Sequence, residues 1–141
     1  MLIVSCHMEC LTIPNILLKT ENNNVNISGV LYPIHVNSSE EVNLKVSNSN
    51  LEGWLSYGTS TTADFTNVTF TKNNTTGYAM FRPYGTTVLN NCKFGTDMEI
   101  DLSELGAGET ITFIGCTYNG APLTMGNIQN YEGKESFVTI K

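Results

Sequence analysis

Charge is scarce in this 141-residue chain: only 14% of its residues are Asp, Glu, Lys or Arg, with a single arginine and a single tryptophan. Seven Lys and Arg, standing singly against thirteen Asp and Glu, leave a formal charge of -6. No basic stripe is available to neutralise phosphates, so neither nucleic acid nor an anionic membrane surface is an expected partner. Long apolar runs are also missing. No apolar run, Ile16-Leu17-Leu18 among them, approaches the roughly 18 residues that span a bilayer, so no membrane insertion is expected and the chain reads as soluble. The four cysteines form no CxxC, and Cys6-x3-Cys10 has no second half, which removes the usual zinc spacings. His7 and His35 have no Ser or Cys at a recognisable spacing, so a catalytic triad is unsupported and both read as ordinary strand residues.

What the chain does have is Asn, Thr, Ser and Gly around a repeated phrase. FIGCTY (113–118) supplies a template of apolar, any, Asn/Gly/Ser, small or apolar, any, bulky. It fits IVSCHM from Ile3, FTNVTF from Phe65 and LNNCKF from Leu89, and more loosely VSNSNL from Val46 and ISGVL from Ile27, with a last copy begun at Phe137. In chain order the copies start at Ile3, Ile27, Val46, Phe65, Leu89, Phe113 and Phe137, so the step between them takes only a shorter and a longer value. A period of about 20 residues is too short for helical-pair repeats, which need about 33 or more, and suits one turn of a β-solenoid. No LxxLxL frame recurs, and β-branched residues, Asn and Gly stand where helix formers would be needed, so the leucine-rich alternative is set aside. The opening MLIVSC superficially fits a bacterial lipoprotein box, but it lacks the basic and apolar regions of an export signal, and the repeat accounts for the same residues.

The template predicts its own geometry. Ile111 and Phe113 alternate inward on one strand, the chain bends at Ile114-Gly115, and Cys116 and Tyr118 point inward on the next. The third template position is Ser5, Gly29, Asn48, Asn67, Asn91 and Gly115. Gly and Asn tolerate the left-handed backbone of a sharp bend, and stacked Asn side chains can hydrogen-bond from coil to coil. Cys6, Val30, Ser49, Val68, Cys92 and Cys116 then form one inward column. Stacked one coil apart, Cys92 and Cys116 come within disulfide range, and their redox state stays open between a bond and packed thiols. Further strands are predicted at 31–36, 55–57, 78–81 and 98–102, with turns at 71–77 and 105–109. The expected fold is all-β: a single-stranded right-handed parallel β-helix of about six coils, with roughly 19 to 24 residues per coil, in one domain over residues 1–141. At about 4.8 Å per coil the rod is roughly 30 Å long, short enough to read as a fragment or C-terminal part of a longer rod, because open solenoid ends need caps.

LNNCKF, FIGCTYNG and the following APLTMGNI resemble the coils of right-handed parallel β-helix proteins of the pectate-lyase-like superfamily, secreted or displayed by bacteria. The resemblance covers most of the chain at the level of fold. It implies no single activity, because the superfamily includes lyases, hydrolases, adhesins and phage tailspikes. Its catalytic members cluster acidic residues on neighbouring coils of one face, sometimes with Ca²⁺ and an Arg or Lys base.

The best acidic group here is Asp97, Glu99 and Asp101, expected on one outer face with Met98, Ile100 and Leu102 turned inward. One coil away lie Ala121, Leu123 and Met125 on one side and Asn73, Thr75 and Gly77 on the other, so no second coil reinforces the three carboxylates. They read as a solvated face or a weak Ca²⁺ site. Arg82, in MFRPYG with Phe81 and Tyr84, has repeat neighbours Ala63 and Gly106 and reads as a surface residue at a turn. NxS/T triplets at Asn26, Asn37, Asn67, Asn73 and Asn74 arise readily in so Asn- and Thr-rich a chain and carry no argument. What remains is a binding face. Trp54, Tyr57, Tyr78 and Tyr84 fall off the inward columns, where they either offer flat rings to a sugar or fill the irregular third side of the core.

The expectation is therefore a non-catalytic module of a secreted or cell-surface bacterial protein, a spacer or a glycan- or protein-binding face, with Trp54, Tyr57, Tyr78, Arg82 and Tyr84 as the binding residues. No cofactor is expected. A glycan, a surface protein or a homo-oligomer formed end to end or side by side are the partners such a rod admits. The alternatives are a fragment of a polysaccharide lyase or glycosidase whose catalytic coils lie elsewhere, and a component of a phage fibre or tailspike.

Overall fold

The computed structural model describes residues 20–23, 26–28, 32–35, 42–58 and 61–141. The strands are β1 (Thr20–Asn23), β2 (Asn26–Ile27), β3 (Ile34–His35), β4 (Val42–Ser47), β5 (Asn50–Glu52), β6 (Trp54–Ser56), β7 (Thr61–Thr66), β8 (Thr69–Thr71) and β9 (Met80–Arg82). They continue as β10 (Thr86–Asn90), β11 (Lys93–Phe94), β12 (Glu99–Asp101), β13 (Thr110–Ile114), β14 (Thr117–Tyr118), β15 (Ala121–Pro122), β16 (Ile128–Gln129) and β17 (Val138–Ile140). The only helical elements among the described residues are the two 3₁₀ turns at Met125–Asn127 and Glu135–Phe137.

Successive strands pass to successive sheets. The first sheet is ordered β1-β4-β7-β10-β13-β17, the second β2-β5-β8-β11-β14-β15 and the third β3-β6-β9-β12-β16. Pairing is parallel except at β14 with β15, where the chain doubles back. An all-β chain of stacked strands in three parallel sheets is consistent with a parallel β-solenoid.

Register follows the repeated phrase in the middle of the chain. Val46, Phe65, Leu89 and Phe113, the starts of four successive copies, stand in line across the first sheet. Two copies are corrected. The partner of Phe113 at the C-terminal end is Ile140, because the 3₁₀ turn at Glu135–Phe137 lengthens the return; Phe137 lies outside the ladder. Before Val46 the ladder residue is Asn22. Ile27 pairs instead with Leu51 in the second sheet, so the phrase ISGVL falls one strand out of step with the other copies. An apolar residue flanks the bend on both sides, so a slip from one strand to the next preserves the hydrophobic match. The copy at Ile3–Met8, with Cys6, His7 and Cys10, and the positions Gly29 and Val30 lie outside the described residues.

The bends behave as the residue types require. Asn48, Asn67, Asn91 and Gly115 adopt φ of 50°, 55°, 51° and 59°. A left-handed conformation costs a non-glycine residue roughly 1–2 kcal/mol, which the side chains offset by bonding along the stack. Asn67 Nδ2 donates to Asn48 Oδ1 at 3.0 Å and Asn91 Nδ2 to Asn67 Oδ1 at 2.8 Å. Immediately after the bend Ser49, Val68, Cys92 and Cys116 are buried in one column. Both cysteines are free thiols, each directed at a backbone carbonyl: Cys92 Sγ at Phe65 O and Cys116 Sγ at Leu89 O.

Phenylalanine fills the interior. Phe65, Phe70, Phe81, Phe94 and Phe113 are buried, with Phe70 and Phe94 stacked at 4.8 Å and 15°. Each such ring contributes on the order of 1.5–3 kcal/mol by leaving water. The predicted third-side strands are present as β3, β6, β9 and β12, contributing Ile34, Leu55, Phe81 and Ile100 as one row against the core. Tyr57, expected among the binding residues, is instead a core residue with 1% of its surface exposed. Its hydroxyl meets Thr87 Oγ1 at 2.7 Å, and burial drives its pKa well above the usual tyrosine range. A phenol with a buried hydroxyl partner can fill the third side without leaving a polar atom unpaired.

Candidate ligand face on the third sheet

Alternation on three short strands builds the candidate site. With Leu55, Phe81 and Ile100 turned inward, Trp54 and Ser56 on β6, Met80 and Arg82 on β9 and Glu99 on β12 take the outer face. Register then sets two rows, one of Trp54, Met80 and Glu99, the other of His35, Ser56 and Arg82. Asp101 lies one step beyond Ile100, which pairs with Phe81, and so falls beside Arg82.

Three aromatic rings gather at the N-terminal end of this face. Tyr32 and Trp54 have centroids 5.6 Å apart, Trp54 and Tyr78 5.8 Å, and Tyr32 and Tyr78 6.2 Å. Tyr32 also packs on the ring of His35 at 5.3 Å. Tyr78 is 38% exposed, one of two large apolar side chains so exposed among the described residues, the other being Ile114. Trp54 is half-buried, and its indole Nε1 has no hydrogen-bond partner among the described residues.

Arg82 lies over the Trp54 ring with Cζ 5.1 Å from the centroid. Asp101 Oδ2 accepts from Arg82 Nε at 3.1 Å and Nη2 at 2.9 Å. The same oxygen accepts from the Ser103 hydroxyl, while Oδ1 accepts from the Ser103 backbone N–H and from Asn130 Nδ2, both within 2.9 Å. Burial works to raise the pKa of Asp101. The hydrogen bonds from Asn130, Ser103 and Arg82 outweigh it and hold the carboxyl below the usual aspartate value.

The expected acidic group does not form. Asp97 stands in the turn before β12, mostly exposed, 3.9 Å from Lys72; Glu99 is half-buried beside Met80; Asp101 is buried and saturated by the partners just named. The coil neighbours differ from those expected as well, Met80 facing Glu99 and Gln129 facing Asp101. Arg82 likewise has Ser56 and Asp101 beside it, where repeat arithmetic placed Ala63 and Gly106. The cause is uneven coil length on the third side: its inward row runs Ile34, Leu55, Phe81, Ile100 and Ile128, short steps alternating with long ones.

Of the residues expected on a binding face, the structure brings together Trp54, Tyr78 and Arg82. Tyr84 is half-buried against the core, its phenol pKa raised by burial and by Glu104. Tyr32, His35 and Ser56 complete the face and escape the sequence reading. His35 Nδ1 lies 2.9 Å from Ser56 Oγ, so the histidine does have a serine partner. Aligning the predicted strands on Ile34, Leu55 and Phe81 would have placed His35 beside Ser56.

Away from this face, a polar groove of about 420 Å³ runs along the first bend, lined by Asn48, Asn67, Val68, Thr69, Asn91 and Lys93. It contains no aromatic ring, and its amides bond to one another along the stack. Compared with known proteins, the chain matches no family model, no curated protein and no solved structure.

Proposed function

We propose that the chain is a β-solenoid module of a secreted or cell-surface bacterial protein and that the outer face of its third sheet binds a glycan. The observation that carries this reading is the cluster of Tyr32, Trp54 and Tyr78, rings within about 6 Å of one another with Tyr78 turned to solvent. Flat apolar rings flanked by a few fixed polar groups, here His35, Ser56 and Arg82, are the composition of a site that stacks a sugar and orients its hydroxyls. Rigidity favours the same reading, because a face built on three parallel strands has little conformational entropy left to lose on binding.

The finer description of the fold belongs to the same proposal: a right-handed helix of about six coils, of the pectate-lyase-like kind. LNNCKF and FIGCTYNG, now seen at successive bends, support it. Binding of the purified chain to a broad glycan array, with Tyr78→Ala and Trp54→Ala alongside, tests the function. Binding by the parent chain that both variants lose supports the aromatic site. No binding at high protein concentration withdraws it in favour of a spacer.

A further inference from the structure

We infer that the outer face of the third sheet also carries a serine–histidine dyad that transfers an acyl group from a carboxylic ester, with Ser56 as nucleophile, His35 as general base and Arg82 as the oxyanion donor. This goes beyond glycan binding and does not depend on it.

Three observations carry the inference. His35 Nδ1 lies 2.9 Å from Ser56 Oγ, the contact an activated hydroxyl needs, and both residues are half-buried, so the pair is packed yet reachable. Register sets the backbone of Arg82 opposite that of Ser56 on the adjacent strand, at the usual strand spacing of roughly 4.8 Å, so the two side chains leave the same outer face as neighbours. Asp101 grips Arg82 through Nε and Nη2 and Trp54 underlies it, so the guanidinium is fixed while Nη1 makes no hydrogen bond among the described residues. A donor fixed in advance beside a nucleophile is what stabilises a tetrahedral oxyanion, since no reorganisation is needed as the charge develops. Tyr32 packs on the imidazole and limits its rotation.

The reaction balances with water as the only co-reactant. Ser56 Oγ attacks the ester carbonyl carbon as its proton passes to His35 Nδ1, and the carbonyl electron pair moves to oxygen, where Arg82 donates a hydrogen bond. Collapse of this intermediate breaks the bond to the alcohol oxygen, which takes the proton from the imidazolium, and leaves acyl-Ser56. Water then gives its proton to His35 and attacks the acyl carbon; Ser56 leaves with the returned proton and a carboxylic acid departs. Among the described residues no carboxylate bonds Nε2 of His35, and the acylation half of the reaction needs only Ser56, His35 and Arg82.

Covalent labelling is therefore the decisive readout. The folded chain is incubated with an alkyl fluorophosphonate, whose phosphorus takes the Ser56 oxygen as fluoride leaves, and the adduct is mapped by intact and peptide mass. One adduct per chain, on Ser56, is expected. It is absent from Ser56→Ala, and its rate falls about 100-fold in His35→Gln and at least tenfold in Arg82→Met. A far-UV circular dichroism spectrum unchanged from the parent confirms the fold of each variant, and the parent chain decides the question even where a variant unfolds. An unlabelled parent, an adduct on another residue, or a His35→Gln rate equal to the parent's overturns the inference. None of these outcomes bears on the glycan array, where sugar binding by an unlabelled chain leaves the binding reading standing alone.

Discussion

Arg82 is held between Trp54 and Asp101, its Cζ 5.1 Å above the indole on one side and its Nη2 2.9 Å from the carboxylate on the other. The Arg82 side chain keeps 23% of its surface exposed and that of Asp101 only 4%, so the two ends of the pair respond differently to removal. Asp101→Ala leaves a partly desolvated guanidinium and the donors of Ser103 and Asn130 without their acceptor. A loss of about 2–3 kcal/mol is expected. Arg82→Met keeps apolar contact with Trp54 but leaves the carboxylate with its neutral donors, a loss of about 1–2 kcal/mol. Urea unfolding followed through Trp54 fluorescence measures both, and equal losses would contradict the asymmetry.

The same carboxylate makes stability depend on pH. Its pKa in the folded chain lies below the ordinary value of 3.8, so its contribution is fully present above 3.8 and is lost as pH falls from 3.8 through the lower folded value. The urea midpoint of the parent chain is expected to drop, as pH falls below 3.8, by more than that of Asp101→Asn. Parallel curves for the two proteins would assign the acid sensitivity to other carboxylates.

The amide ladder separates backbone strain from hydrogen bonding. Asn67→Ala loses both ladder bonds and keeps a β-carbon at φ 55° without the polar side chain that lets Asn tolerate this backbone, so about 2–3 kcal/mol is expected. Asn67→Gly loses the bonds alone and relieves the strain, for about 1 kcal/mol. Gly115 continues this stack at φ 59°, and a β-carbon built there meets nothing within 4 Å. Gly115→Asn can donate to Asn91 Oδ1, offsetting the strain that Gly115→Ala would incur, so thermal unfolding is expected to rank Asn above Ala at this position.

Much of this architecture could be read in the sequence because its period is carried by residues with one physical role. Phe65, Leu89 and Phe113 recur at ladder spacing, and Asn48, Asn67, Asn91 and Gly115 occupy the one position where the backbone turns left-handed. The third side was legible as strands but not as register, because its connections vary in length and single-period arithmetic separates Arg82 from Asp101. Tyr57 shows a second limit. Nothing in the residue type distinguishes a tyrosine that faces a ligand from one whose hydroxyl finds Thr87 inside the core, and that distinction depends on the neighbouring coil. His35 and Ser56 stand far apart in the chain, and their pairing acquires chemical meaning only after Ile34 and Leu55 are aligned.

Cys92 and Cys116 test whether the first bend is as closed in solution as its geometry implies. Both thiols are buried; the neighbouring Cys116 sulfur and burial push the pKa of Cys92 up, while the hydrogen bond with Cys92 lowers that of Cys116 to about 7, so Cys116 is protected by lack of access and not by lack of thiolate. Iodoacetamide needs thiolate and access together. In the native chain both residues are expected to stay unmodified over hours, and in denaturant without reductant both should alkylate fully, which peptide mass mapping reads directly. Resistance in denaturant that only a reductant removes would reveal a disulfide between the two coils. Rapid alkylation of the native chain would mean that the bend opens, and since Asn91 donates to Asn67 at the same corner, Asn67→Gly should then accelerate it further.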